Sequence, residues 1–124
     1  MSKMAWMLSS VGVSLAIVAT PALAANGDND LQTVAASLTA GEFVTAEAQI
    51  AKLNRTNGAD GAMLINLGNA YAGMGRRGDA QIAYQAAIDA DPNMELDLAD
   101  GSVRTVREVA TDGLRYLGVS YAER

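Results

Sequence analysis

The 124-residue chain contains no cysteine and no histidine. These two absences exclude disulfide bonds, thiol nucleophiles, histidine-based catalytic triads and conventional zinc sites. Serine and threonine side chains have no adjacent base, and no glycine-rich loop follows a strand pattern to bind phosphate. Catalysis by carboxylates alone stays open, although so small a domain offers little buried volume in which to shift a carboxylate pKa. We therefore predict that the protein is not an enzyme and has no catalytic residues, no metal site and no cofactor.

Basic residues are also scarce. Nine lysines and arginines stand against 14 aspartates and glutamates, which gives a net charge of −5. Nucleic acids and anionic membrane surfaces are bound by clustered lysine and arginine side chains. We therefore expect no nucleic-acid partner, and we predict a protein or peptide partner that is neutral, basic or apolar.

Charged residues are almost absent from the first 25 residues. One positive charge, at Lys3, precedes an apolar run over residues 11–18, and Ala22-x-Ala24 has the small-residue pattern of a cleavage site. We predict a secretory signal peptide over residues 1–24, export to the periplasm or beyond, and no membrane insertion after cleavage. The alternative is an uncleaved anchor, because the uncharged stretch approaches the length of a membrane span.

The most specific spacing in the chain lies between residues 62 and 92. A first set of residues shares one helical face, and a second set shares another after a break at residues 75–78. The two sets are Leu64, Leu67, Gly68 and Tyr71, and then Ala80, Ala83, Tyr84, Ala87 and Ile88. We predict two helices that pack closely, because Gly68 and Ala80 are small beside the bulky Tyr71 and Tyr84.

Leu64-x2-Leu67-Gly68-x2-Tyr71, Ala80-x3-Tyr84 and Pro92 together resemble the tetratricopeptide repeat (TPR). The match covers one repeat and departs from the signature by Leu64 for tryptophan and Tyr84 for phenylalanine. A shift by the family's period of about 34 residues places Gly41 under Gly75 and Ala46 under Ala80, which predicts a degenerate earlier repeat. The resemblance implies helical hairpins whose concave face receives a peptide or a partner's helix.

The pattern changes after Pro92. Residues 95–98 alternate between charged and apolar, Asp100-Gly101 is a turn signal, and residues 102–104 return as a second strand. Thr105 and Glu108 then fit a capping box before a helix with apolar residues at helical spacing. We predict a short β-hairpin followed by a C-terminal capping helix.

The predicted fold is therefore all-α: a TPR-like helix-turn-helix array of about two repeats, with the short β-hairpin and the capping helix. In chain order, the predicted units are a signal peptide (1–24), a flexible N-terminus (25–30), a TPR-like domain (31–118) and a tail (119–124). The domain divides into a degenerate repeat (31–58), a clear repeat (61–94), the hairpin (95–104) and the capping helix (105–118).

The candidate partner-binding site is the face of the first helix of the clear repeat that its packing partner does not use. Helical spacing places six residues there: Ala62, Ile65, Asn66, Asn69, Ala72 and Gly73. We expect the two asparagines to bind an extended peptide backbone, and the apolar and small residues to accept apolar side chains. This predicts a non-enzymatic interaction module of the cell envelope, an adaptor or assembly accessory.

Three alternatives remain open. The C-terminal helix or a third helix pair fills the face within the chain, since isolated repeats have apolar faces to bury. A structural homo-oligomer buries the face between its own copies. In a calcium-stabilised module, the oxygen ligands at alternating positions between Asp89 and Asp100 bind the ion.

Overall fold

The computed structural model describes residues 21–24, 29–57 and 60–118. In chain order its elements are β1 (Ala22–Ala24), α1 (Asn29–Thr39), α2 (Phe43–Asn57), α3 (Gly61–Gly73), α4 (Arg77–Ala90), β2 (Glu95–Leu98), β3 (Val103–Thr105) and α5 (Val106–Tyr116). The mostly helical fold, the hairpin and the C-terminal helix are confirmed. Strand β1 was not predicted. None of the helices in the described ranges has the length and apolar character needed to span a membrane.

Three of the predicted segments lie partly or wholly outside the described residues. Residues 1–20 of the predicted signal peptide lie outside the described residues, and the last three residues of that segment form β1. Residues 25–28 of the predicted flexible N-terminus also lie outside the described residues, whereas Asn29 and Asp30 belong to α1. The tail, residues 119–124, also lies outside the described part of the chain.

The turns that end α1 and α3 share one geometry. Gly41 and Gly75 each have a φ of 78°, a backbone conformation that favours glycine. In both turns the next N–H donates to a carbonyl five residues back: Glu42 to Ser37, and Arg76 to Tyr71. This is the helix-ending arrangement in which a left-handed glycine lets the chain reverse. The predicted break at Gly75 is therefore confirmed, although α4 already begins at Arg77, and Gly41 ends α1 in the same way.

Side chains fix the starts of α3 and α5. The Asp60 carboxylate accepts a hydrogen bond from the Met63 N–H at 2.9 Å, and Asp91 accepts one from the Gly61 N–H at 2.9 Å. At α5, Thr105 and Glu108 exchange side-chain and backbone hydrogen bonds at 3.2 and 2.9 Å. The predicted capping box is therefore confirmed, and it turns the chain from β3 directly into α5.

The sheet has the order β1-β2-β3, with both pairs antiparallel. Strand β2 alternates as its sequence predicts: Leu96 and Leu98 are buried, whereas Glu95 and Asp97 are exposed. The apolar face of β2 therefore packs on the helices. Strand β1 pairs with the other edge of β2, with Ala22 opposite Leu98 and an irregularity before Ala24.

Among the residues that the structure describes, Tyr84 of α4 has the largest fully buried side chain. Its ring lies between two glycines on neighbouring helices, Gly68 of α3 and Gly113 of α5. A Cβ atom built on Gly68 would lie 2.6 Å from Tyr84 Cε1, and one built on Gly113 would lie 2.6 Å from Tyr84 Cζ. These contacts confirm that Gly68 allows close packing against a tyrosine. They also show that α5 packs against the α3–α4 pair through a second glycine.

Candidate functional site

The six predicted site residues lie along α3, but most of them have no exposed surface. Ala62, Ile65 and Asn66 are 0% exposed and Asn69 is 1% exposed, whereas Ala72 and Gly73 are half-buried. The face is therefore covered within the chain, as the self-filling alternative proposed. The predicted occupants were a third helix pair or the C-terminal helix, and the C-terminal helix α5 does contact α3: a Cβ atom built on Gly61 would lie 2.9 Å from Val106 Cγ2. Strand β1 lies there, in contact with α1, α3 and β2.

Asn66 binds the backbone of β1 through both ends of its side-chain amide. The Ala22 N–H donates to Asn66 Oδ1 at 2.9 Å, and Asn66 Nδ2 donates to the Ala22 carbonyl oxygen at 2.9 Å. Both bonds are buried and join residues 44 positions apart. An amide that pairs with the N–H and C=O of a single residue replaces a neighbouring strand. Asn66 thus binds an extended backbone, as predicted, and that backbone belongs to the same chain.

The other side of β1 is paired with main chain. Backbone groups along a strand point alternately to opposite sides. While the polar groups of Ala22 point to Asn66, the Pro21 carbonyl accepts a hydrogen bond from the Ala99 N–H at 3.0 Å. Pro21 is compatible with this position because its missing N–H is not needed just before the first residue of an edge strand. The site therefore consists of a strand edge on one side and a single asparagine on the other.

The side chain of Ala22 is fully buried. It is 0% exposed and belongs to the main core cluster, together with Leu31, Ile65 and Leu98. Protein cores are close-packed, so extra methylene groups force neighbouring side chains to shift. The position in the groove that Ala22 occupies is therefore shaped for a side chain of alanine size.

The last two residues of the predicted face, Ala72 and Gly73, have structural partners. A Cβ atom built on Gly73 would lie 2.5 Å from Phe43 Cδ1, so α2 packs directly on this glycine. Ala72 packs against the main core cluster. The sequence predicted room for apolar partner side chains beside these two residues. With α2 and the core in these positions, that room is taken by the chain itself.

Asn69 has a different role from Asn66. Its Oδ1 accepts a hydrogen bond of 2.5 Å from the hydroxyl of Tyr84. Its Nδ2 is buried and has no hydrogen-bond partner among the described residues. A buried donor without a partner is costly, so a carbonyl that reached this nitrogen would be stabilised there. Binding of an external partner by these two asparagines stays a prediction.

Burial raises the pKa of the Tyr84 hydroxyl above its ordinary value of 10.0, and the nearby Tyr116 raises it further. In the unfolded chain this tyrosine titrates near its ordinary value. The stability that it contributes is therefore fully present below about pH 10 and is lost as the pH rises above it. We expect alkaline unfolding to coincide with ionisation of one tyrosine, measured as tyrosinate absorbance against circular dichroism. Ionisation of all four tyrosines before unfolding would contradict this.

The acidic segment after α4 is not arranged as an ion-binding loop. Asp89 accepts a hydrogen bond from Gln85, Asp91 from the Gly61 N–H, and Asp100 from Ser102. No group of three or more acidic, histidine or cysteine side chains in the described ranges is placed to hold a metal ion. The geometry therefore gives the calcium alternative no support.

Sequence reasoning missed Ala22 as part of the site because Ala22-x-Ala24 is also the pattern of a cleavage site. Two signals pointed the other way. Pro21 is well placed before the first residue of an edge strand, and the predicted two-strand hairpin leaves one edge of β2 unpaired.

Comparison with protein-family models finds no match, and neither curated proteins nor solved structures give a significant one. The functional argument for this chain therefore depends on the geometry of the groove between α1, α3 and β2.

Proposed function

We propose that the protein is a non-enzymatic interaction module of the cell envelope, an adaptor or assembly accessory. It binds an extended segment of a partner protein in the groove between α1, α3 and β2. The observation that carries this proposal is the pair of hydrogen bonds between the Asn66 amide and the backbone of Ala22. Strand β1 acts as an internal ligand and indicates how an external one would be held.

The mode of binding is addition of a strand to a sheet edge. Main-chain hydrogen bonds supply affinity in such sites, and pockets for alternate side chains supply specificity. Here β2 offers the main-chain edge, Asn66 offers the second set of hydrogen bonds, and α1 and α3 enclose the side chain that points inward. A homo-oligomer formed through the same face also requires β1 to leave the groove, because Ala62 and Ile65 have no exposed surface while it is there.

A repeated helical hairpin is part of this proposal. The turns at Gly41 and Gly75 have the same φ and the same hydrogen bonds. Ala46 and Ala80 follow them at matching positions, and both are fully buried. These correspondences agree with the TPR-like register and support two hairpins, α1–α2 and α3–α4. In this interpretation the groove is the concave face of the array.

The direct test uses the chain that cleavage after Ala24 would produce, residues 25–124, because it lacks β1. A fluorescent peptide of residues 18–25 (VATPALAA) serves as the surrogate ligand, and its anisotropy measures binding. We expect saturable binding that Asn66→Ala lowers at least about tenfold, which is the effect of losing about 1.4 kcal/mol. The matched control, Asn54→Ala, changes an exposed asparagine of α2 and is expected to bind as wild type.

Circular dichroism of the same samples shows whether residues 25–124 retain the helical content of the full chain. A folded chain that does not bind the peptide, or that binds equally well with Asn66→Ala, would contradict the proposed function.

A further inference from the structure

We infer that the groove between α1, α3 and β2 is a latent site, which β1 occupies in the intact chain. Cleavage between β1 and α1 opens the groove. The open groove then selects an extended segment with an alanine-sized side chain at the position of Ala22. This inference rests on the proposed function and adds its regulation and its ligand chemistry.

The selection follows from the surroundings of Ala22. Its side chain is fully buried among core residues, including Leu31 and Ile65. A larger apolar side chain would overpack this position, and a charged one would lose its hydration without gaining a partner. By contrast, the polar groups of the ligand that the groove binds are main-chain atoms, which every residue except proline carries. The preceding residue tolerates proline, because only the Pro21 carbonyl is used, as an acceptor for the Ala99 N–H.

The latency follows from covalent linkage. In the intact chain β1 is joined to α1 by the short connection over residues 25–28. A segment tethered so closely has an effective concentration on the order of millimolar, so a free peptide of the same sequence competes poorly with it. Once the connection is cut, β1 becomes an ordinary ligand that dilution removes. Cleavage after Ala24, the position that the sequence pattern indicates, is a cut of this kind.

The site is built to be filled. Without β1, the buried amide of Asn66 loses both of its partners, and the edge of β2 loses the Pro21 carbonyl. Polar groups enclosed among apolar side chains are stabilised when a ligand supplies matching hydrogen bonds. An emptied groove therefore favours a replacement strand.

The experiment uses the full chain with a site for a specific protease placed at residues 25–28, so that the protein folds before it is cut. The labelled VATPALAA peptide is titrated into uncut and cut protein. We expect at least about tenfold tighter binding to the cut protein, given the millimolar effective concentration of the tethered strand. Equal binding to both forms would overturn the latency while leaving the proposed function intact.

A peptide series then tests selection on the cut protein. Glycine or alanine at the Ala22 position is expected to bind, whereas leucine or glutamate there lowers affinity at least about fivefold, the lower end of the overpacking cost expressed as an equilibrium constant. The same change at the Val18 position serves as a control. Equal affinities across the series would overturn the selection. Absence of binding in every form would overturn the inference together with the proposed function.

A second variant opens the groove without a protease. Ala22→Glu in the uncut chain places a carboxylate where no side-chain atom is exposed, so β1 is expected to leave the groove and the peptide to bind as in the cut protein. Ala48→Glu, at an exposed position of α2 that does not line the groove, is the matched control and is expected to remain closed. A folded Ala22→Glu protein that still excludes the peptide would contradict the latency.

Discussion

Replacing Asn66 with alanine is expected to lower the free energy of unfolding of the full chain by about 2–4 kcal/mol. The substitution removes both hydrogen bonds to Ala22 and leaves a buried N–H and a buried C=O without a partner. If β1 leaves the groove to rehydrate these groups, the chain instead loses the apolar burial of Ala22 and part of the sheet. Either response destabilises the fold, and urea denaturation followed by circular dichroism measures it.

The control for this experiment is Asn54→Ala. Asn54 is exposed on α2, so its replacement is expected to change stability by no more than about 0.5 kcal/mol. An Asn66→Ala protein that is as stable as Asn54→Ala would mean that the pairing with Ala22 does not hold β1 in place.

Replacing Gly113 with alanine is expected to cost about 1–3 kcal/mol. The new Cβ atom would lie 2.6 Å from Tyr84 Cζ, closer than nonbonded carbon atoms approach. The tyrosine ring cannot retreat toward α3, because the space on that side is closed by Gly68 in the same way. Nor can its hydroxyl move freely, because it donates to Asn69. Helix α5 must therefore shift, and its packing on α3 and α4 is lost in part.

Gly78→Ala is the matched control for Gly113→Ala. Gly78 lies in the first turn of α4, and a Cβ atom built there meets nothing within 4 Å. The same substitution is expected there to be neutral or to stabilise by up to about 1 kcal/mol, because alanine loses less backbone entropy on folding than glycine does. Thermal unfolding of the two variants side by side decides the point. Equal melting temperatures would show that the space beside Tyr84 is not as tight as described.

Local patterns in the sequence were sufficient to predict the helices and the close contact between α3 and α4. Helix breaks at Gly41 and Gly75 follow from a property of single residues, because a left-handed turn at the end of a helix favours glycine. The approach of Tyr84 to Gly68 follows from the spacing of small and large residues on two adjacent helices. The capping box likewise depends on two residues within a four-residue segment, Thr105 and Glu108. Each of these features depends on neighbours in the chain.

The features that were missed depend on residues far apart. No pattern connects Ala22 with Asn66, because a side-chain amide binds any extended backbone and leaves no trace in the sequence of that backbone. No local pattern indicates that Gly113 of α5 meets Tyr84 of α4. Asn66 on the predicted face of α3 does bind an extended segment, whereas binding of a partner there stays a prediction. That the chain itself supplies the segment was beyond local reasoning.

Hydrogen exchange of individual amides, measured by NMR on the full chain, tests the central claim most directly. We predict that the Ala22 and Ala99 N–H groups exchange slowly, because both donate hydrogen bonds: Ala22 to Asn66 Oδ1, and Ala99 to the Pro21 carbonyl oxygen. The Leu98 N–H, which donates to Ser102 within the β2–β3 hairpin, is the internal reference. Protection of Ala22 comparable to that of Leu98 is the predicted result. Exchange of Ala22 at the rate of an unprotected amide, with Leu98 still protected, would contradict it.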